Sequence, residues 1–210
     1  MSPDRYDLRS KGYEHLSDGN YQAAILAFKK AIEISPDFTS AYYYMGLAYA
    51  DAGDNKNAIK MFRKCTKLGL EGLFWTSDDD DKFTDQDPYY HMGWCYEDIG
   101  QIQAAKKALR QSIKHNPNWL ESYYRLGRIY HKEGNYSEAA KIYKSALENS
   151  LRRKNLSGFI VLKEIKFAYE RAISRKRFEE YELSNDDMKQ ALGSEKKQLQ
   201  QLLRELKGQP

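Results

Sequence analysis

Apolar and polar residues follow a helical spacing along most of the chain, and glycines divide this pattern into blocks. Four glycines are each followed, three residues later, by an aromatic residue or a histidine: Gly12, Gly46, Gly93 and Gly127. A second glycine follows each of them by seven residues, at a place where a helix must stop and turn. Each block therefore predicts two amphipathic helices joined by a tight turn.

The distances between these glycines give the length of the unit. Gly12 and Gly46 are 34 residues apart, as are Gly93 and Gly127, whereas Gly46 and Gly93 are 47 apart. This period predicts four helix–turn–helix units with an insertion of 13 residues in the middle. The glycines, and alanines such as Ala58 that stand twelve residues later, mark where two helices cross closely.

The pattern resembles the tetratricopeptide repeat family, in which leucine–glycine, tyrosine, alanine, an aromatic residue, alanine and proline occupy fixed places. The resemblance covers residues 5–38, 39–72, 86–119 and 120–153. It implies an all-α, right-handed solenoid of four repeats over residues 5–153, interrupted by the insertion at 73–85. Such arrays commonly bind other proteins, so the resemblance favours a protein-interaction module or adaptor.

The resemblance also implies a concave surface, which the first helix of each repeat lines in this family. The residues it places there are Tyr6, Arg9, Tyr13, Tyr43, Tyr44, Leu47, Asp87, Tyr90, His91, Trp94, Tyr124, Arg125, Arg128 and Lys132. Tyrosine and tryptophan are frequent in interface hot spots, and a rigid ring loses little entropy on binding. We expect a peptide segment of a partner protein to bind there. The alternative is that individual tyrosines pack between neighbouring helices.

Charged residues of this surface form two groups. The basic group follows one helix face and the acidic group lies elsewhere in the groove: Arg125, Arg128, His131 and Lys132, and Asp51, Glu97 and Asp98. This arrangement predicts a bipolar groove that favours a peptide with acidic groups over the fourth repeat. The alternative is an ordinary solvated charged face. A clamp for the acidic terminus of heat-shock chaperones is disfavoured, because only Arg9 or Arg125 matches its basic positions.

The insertion at 73–85 reads LFWTSDDDDKFTD. Four successive aspartates, Asp78 to Asp81, are unfavourable inside a helix, so we expect a solvated loop that could cap the helix starting after Pro88. The spacing lacks the central glycine of an EF-hand calcium loop.

The carboxyl-terminal part differs in charge, with 14 basic and 9 acidic side chains in residues 151–210. Residues 154–183 are apolar enough to predict a helix that caps the last repeat. Residues 184–210 predict an amphipathic helical tail, which docks on the array, dimerises as a short coiled coil, or frays. Self-assembly through these helices or the groove is therefore the second hypothesis. Nucleic-acid binding is disfavoured, because basic and aromatic residues are not interleaved.

Composition adds limits on chemistry. The chain is 41% hydrophobic with a net charge of +4, has no apolar run of membrane-spanning length, and shows no secretory signal. We expect a cytoplasmic-type compartment. Cys65, Cys95 and four histidines have no metal-binding spacing, and no third group orients His91 beside Cys95. The sequence predicts no enzymatic activity, cofactor or metal.

Overall fold

A computed structural model describes residues 4–70, 87–153 and 159–178. Within these ranges the chain forms nine α-helices and no strand. They are α1 (Arg5–Ser17), α2 (Tyr21–Ile34), α3 (Thr39–Asp51), α4 (Asn55–Leu68), α5 (Pro88–Asp98), α6 (Ile102–His115), α7 (Leu120–Lys132), α8 (Tyr136–Arg153) and α9 (Phe159–Phe178). The predicted insertion at 73–85 and tail at 184–210 lie outside the described residues.

Helices that follow one another in sequence also pack against one another in space. The pairs α1/α2, α3/α4, α5/α6 and α7/α8 pack extensively, and α2/α3, α4/α5 and α6/α7 join one pair to the next. The first helices of neighbouring pairs also touch, α1 with α3 and α3 with α5. This arrangement confirms the predicted all-α solenoid, in which each unit contacts mainly its neighbours.

Within each pair, a glycine of the first helix lies against a large side chain of the second. A Cβ atom at Gly46 would lie 2.6 Å from Cε1 of Phe62, and one at Gly93 would lie 2.6 Å from Cγ of Leu109. Phe62 and Leu109 are completely buried, so neither side chain has space to withdraw. The helices approach this closely only because glycine has no side chain at the crossing.

Polar contacts of tyrosines connect one pair to the next. Arg63 of α4 donates a hydrogen bond to the Tyr96 hydroxyl of α5 at 2.5 Å, and Arg110 of α6 donates to the Tyr130 hydroxyl of α7. Both tyrosines stand three residues after a crossing glycine. A tyrosine at this position of the repeat therefore connects its own helix pair to the preceding one.

Asp87 is buried at the start of α5, so its predicted place on the groove surface is wrong. Only 7% of the residue is exposed, and its carboxylate accepts hydrogen bonds from the amides of Tyr89 at 2.8 Å and Tyr90 at 3.2 Å. The Ser112 hydroxyl of α6 also donates to Asp87, and it lies 2.5 Å from the Ser122 hydroxyl of α7. Asp87 thus caps α5, binds α6 directly and is linked to α7 through Ser112.

The last described helix covers the end of the array. α9 packs on α8 and α7, and it buries Ile165, Tyr169 and Ala172. Phe167 on the same helix is 62% exposed. Only part of the apolar surface of α9 is therefore used to cover the last pair.

Replacing Gly46 with alanine tests the close crossing of α3 and α4. The added methyl group has to displace the Phe62 ring, so we expect the free energy of unfolding to fall by about 1–3 kcal/mol, although alanine favours a helix. Urea denaturation of Gly46→Ala, Phe62→Ala and the double variant forms a double-mutant cycle. In the Phe62→Ala background, Gly46→Ala should cost nothing; an equal loss in both backgrounds would contradict the contact.

Replacing Asp87 with asparagine tests the buried cap. Burial raises the pKa of Asp87, so folding favours its protonated form. The stability that protonated Asp87 contributes is fully present below its unfolded-state pKa. It is lost as the pH rises through its folded-state pKa. Asparagine keeps the accepting oxygen without a charge. We therefore expect urea denaturation to show Asp87→Asn gaining stability relative to wild type between about pH 4 and about pH 7.

Asp87→Ala is the control, since it removes the accepting oxygen as well as the charge. Loss of the helix cap should make Asp87→Ala less stable than wild type by about 1–2 kcal/mol at about pH 4. This deficit should narrow towards about pH 7, because only wild type loses the stability tied to the raised pKa of Asp87. A difference between Asp87→Asn and wild type that stays constant over this pH range would refute the argument.

Candidate functional site

Aromatic side chains of three first helices touch one another in a continuous line. We call this line the aromatic row, and it consists of Tyr13 of α1, Tyr43 and Tyr44 of α3, and Tyr90, His91 and Trp94 of α5. All six were predicted as groove residues from the repeat register. The structure brings them together because α1, α3 and α5 are neighbours in the stack.

The ring contacts in the row are close enough to fix its shape. The ring centroids of Tyr13 and Tyr44 are 5.4 Å apart in an edge-to-face arrangement, and Tyr44 is also 5.4 Å from Tyr43. His91 lies 5.7 Å from Tyr43, 5.1 Å from Tyr90 and 6.2 Å from Trp94. Such edge-to-face pairs are favourable at these distances, so the rings support one another.

The residues of the row differ in how much surface they offer. Tyr13 is 53% exposed, while Tyr44, Tyr90, His91 and Trp94 are half-buried. These residues present an aromatic surface that is held in place and is still open to solvent.

The groove prediction is wrong for Tyr43, which is only 2% exposed. Its ring packs 5.8 Å from Phe62 of α4 as well as against His91, and it belongs to the core. Tyr43 therefore follows the alternative prediction, that a tyrosine of the register packs between neighbouring helices. Leu47 is half-buried beside the same core, as are Tyr44 and Tyr90.

Tyr6 and Arg9 lie at the other end of α1, in a cluster with Phe38. Tyr6 is 44% exposed and its ring meets Phe38 edge-on at 5.4 Å. The Arg9 guanidinium lies 5.6 Å from the Tyr6 ring and 5.9 Å from the Phe38 ring. Phe38 lies in the connection before α3, outside the repeat positions that predict the groove. Its place in this cluster is visible only from its contacts in the folded protein.

Arg125 extends the surface from α5 to α7. Its guanidinium carbon lies 5.6 Å from the ring centroids of both Tyr90 and Trp94, in cation–π geometry. Its Nη1 atom also donates to the Glu97 carboxylate at 3.0 Å. Arg125 is therefore fixed both by two rings and by a charge.

The predicted separation of basic and acidic groups is wrong for Glu97. Its carboxylate binds Arg125 and also Lys132, each at 3.0 Å, across the α5–α7 contact. Burial alone would raise the pKa of Glu97, but the hydrogen bonds from Lys132 and Arg125 outweigh burial and hold the pKa below its usual value. Glu97 thus neutralises part of the basic stripe instead of forming an opposite pole, because α5 and α7 are adjacent.

The remaining predicted residues of α7, Tyr124 and Arg128, face α9. The Arg128 guanidinium lies 5.7 Å from the Tyr124 ring, and both residues line a cleft of about 330 Å³ with Glu164, Phe167 and Arg171. The three residues of α9 were not predicted as part of a site, because the side of the cap that faces α7 depends on how α9 docks.

Groups with catalytic or metal-binding potential do not assemble in the described part of the chain. Cys65 and Cys95 are fully buried, and burial raises the pKa of each thiol to about 12, which opposes formation of a reactive thiolate. His91 stacks on Phe62 at 5.5 Å. Among the described residues, no three histidine, cysteine or acidic side chains are grouped as metal ligands. None of the helices in those ranges is long and apolar enough to cross a membrane.

Family models match three segments of the chain. A TPR repeat model matches residues 12–53, and two tetratricopeptide repeat models match residues 39–68 and 91–150. Superkiller protein 3 of Schizosaccharomyces pombe is 30% identical over 150 residues, which cover 68% of this chain and 10% of that protein. The chain thus spans about a tenth of the length of this relative.

Solved structures share the fold at low identity. A crystal structure of MamA protein is 23% identical with a TM-score of 0.59, over 88% of this chain and 98% of that chain. YrrB, described as a TPR protein with an unusual peptide-binding site, is 19% identical with a TM-score of 0.56, over 92% of each chain. These likenesses identify the architecture as a tetratricopeptide repeat solenoid.

Replacing Glu97 with glutamine tests the link between α5 and α7. The change leaves Arg125 and Lys132 without their shared carboxylate, so we expect the free energy of unfolding to fall by about 1–3 kcal/mol at neutral pH. Because the pKa of Glu97 is lowered in the folded protein, the loss should shrink as the pH falls through that value.

Glu148→Gln is the matched control, because Glu148 forms an exposed pair with Lys144 at 4.0 Å. Its cost should be at most about 0.5 kcal/mol. If urea denaturation gives equal losses of unfolding free energy for the two variants, the Glu97 link stabilises the protein no more than an exposed ion pair does.

Proposed function

Because the chain belongs to the tetratricopeptide repeat family, we propose that it is a protein-interaction module that binds a peptide segment of a partner along the aromatic row. The observation that carries this proposal is the unbroken series of contacts from Tyr13 on α1 to Arg125 on α7. Tyr43 is buried within this series, and the exposed and half-buried members on α1, α3, α5 and α7 offer one ligand a surface that spans four first helices. YrrB, which has the same fold, is described as having a peptide-binding site.

The chemistry of the row suits a peptide. Tyrosine, histidine and tryptophan combine an apolar ring with a polar atom, so they can cover apolar side chains and still donate hydrogen bonds to a backbone. Contacts within the row hold these rings before a ligand arrives, which lowers the entropy lost on binding. Arg125, fixed over Tyr90 and Trp94 and paired with Glu97, forms one end of this surface.

The proposal includes the division of the chain made from its sequence. Each helix pair falls inside one block of 5–38, 39–72, 86–119 or 120–153, and α9 falls inside the cap at 154–183. In this scheme the protein is a cytoplasmic adaptor or scaffold without catalytic activity or cofactor. The buried, protonated thiols support that assignment, since a catalytic cysteine needs an accessible thiolate.

Self-assembly is the second candidate, and one observation favours it. Leu26 and Ile34 on α2 of the first repeat are 55% and 56% exposed, and Tyr6 and Tyr13 on α1 are exposed as well. Large apolar side chains at the end of a repeat array are suited to contact another copy. Static light scattering that shows a dimer in wild type, and a monomer in a Leu26→Ser, Ile34→Ser double variant, would favour this candidate.

Replacing Tyr13 and Trp94 with alanine tests the peptide-binding proposal. We expect the wild-type chain to select peptides from a phage-displayed library of random dodecapeptides. The double variant should bind the selected synthetic peptides at least about tenfold more weakly, because truncated aromatic hot spots cost 2 kcal/mol or more. Fluorescence polarisation with labelled peptides measures the dissociation constants.

Tyr89→Ala is the control. Tyr89 is also on α5, but its ring stacks on His115 of α6 at 5.0 Å and lies outside the aromatic row. Its binding should match wild type. The proposal fails if the Tyr13, Trp94 double variant binds as tightly as Tyr89→Ala, or if wild type selects no peptide.

A further inference from the structure

The cleft between α7 and α9 combines a positive rim with an apolar floor. Its volume of about 330 Å³ lies at the small end of the range for ligand pockets, and it fits one or two side chains instead of a whole helix. Arg128 and Lys132 line it from α7, and Arg171 lines it from α9. Tyr143 and Ala168 provide apolar surface beneath them.

The two arginines are held by rings and not by carboxylates. Arg128 lies 5.7 Å from the Tyr124 ring, and Arg171 lies 5.7 Å from the Phe167 ring. The ion pairs among the described residues engage Lys132 with Glu97 but include neither of these two guanidinium groups. A guanidinium held beside a ring still presents N–H groups at its edge, and these groups match a carboxylate.

Glu164 limits the kind of anion that suits the cleft. Its carboxylate lines the same space and faces Tyr124, whose pKa is raised first by burial and then by the charge of Glu164. A negative charge inside the cleft disfavours a doubly charged phosphate more than a singly charged carboxylate. The apolar floor suits the methylene groups of a glutamate or aspartate side chain.

The cleft is continuous with the aromatic row along α7. Arg125 stacks on Tyr90 and Trp94 of the row, and Arg128 follows it by three residues on the same helix, about one turn away. A peptide that lies on the row can therefore reach the cleft without a break.

We propose that the cleft between α7 and α9 receives an aspartate or glutamate side chain of the peptide that binds the aromatic row, through Arg128 and Arg171. This inference rests on the function proposed above and specifies its ligand as a peptide with an acidic residue near one end. It assigns α9 a role in recognition as well as in covering the array.

The test uses the same random dodecapeptide library and amidated synthetic peptides made from the selected sequences. Peptides selected by wild type should be enriched in Asp or Glu at one position. Replacing that residue with Asn or Gln should weaken binding to wild type by about tenfold, because hydrogen bonds between charged groups contribute more than neutral ones. The same replacement should change binding to an Arg128→Gln, Arg171→Gln double variant by less than about twofold.

Two further variants serve as controls. Lys29→Gln, Lys30→Gln removes the same charge from exposed positions on α2, far from the cleft in sequence, and should retain the tenfold preference. Arg171→Gln alone changes an exposed residue of α9 and should lose part of the preference with no change in thermal unfolding.

The outcomes separate this inference from the function on which it rests. Selected peptides without an enriched acid, or an equal loss in wild type and the arginine double variant, would overturn the acidic subsite and leave the aromatic row intact. Binding only by peptides with a free carboxyl terminus, or tighter binding of a phosphoserine peptide, would also overturn it. Peptide binding that is insensitive to Tyr13 and Trp94 would instead overturn the proposed function.

Discussion

The contact between a glycine and a large buried side chain determines how close the two helices of each pair can lie. At Gly46 and Gly93 the opposing Phe62 and Leu109 occupy the space that a Cβ atom would need. Because these side chains are fully buried, the spacing within a pair does not adjust to a larger residue. Gly12 and Gly127 face Phe28 and Tyr143 in the same way, so all four pairs share this close crossing. The array is a stack of such pairs.

Regular stacking decides which side chains of the first helices meet. With α1, α3 and α5 in contact, ring positions that recur in the repeat come within 5–6 Å of the next ring, as for Tyr13 and Tyr44. The tyrosines therefore have different uses that depend on their place in the unit. Tyr96 and Tyr130, each of which stands three positions after a crossing glycine, accept hydrogen bonds from arginines of the preceding pair. Other tyrosines of the first helices form the aromatic row, in which Tyr43 is buried and Tyr13, Tyr44 and Tyr90 reach the surface.

The helix pairs, their turns and most members of the row could be predicted from the sequence, because each depends on spacing within one repeat. Tyr43 and Asp87 could not, since their burial depends on which neighbouring helix covers them. Tyr43 lies between Phe62 and His91, and Asp87 is covered by Ser112 of α6. The register assigns a side chain to a face of its helix, but it does not show how far the next unit extends over that face. The same reason explains why Arg171 and Phe167 were missed.

Charge pairing across the α5–α7 contact changes where an anionic ligand would bind. If Arg125, Arg128 and Lys132 formed an unpaired stripe, the strongest attraction would be centred on the row itself. Glu97 instead binds Arg125 and Lys132, so a ligand carboxylate there would compete with a partner already in place at 3.0 Å. Arg128 and Arg171 are held by aromatic rings and keep their N–H edges. The positive charge outside this ion-pair network therefore lies towards α9, beyond the point where Arg125 meets the row, and this places the proposed acidic subsite at the end of the surface.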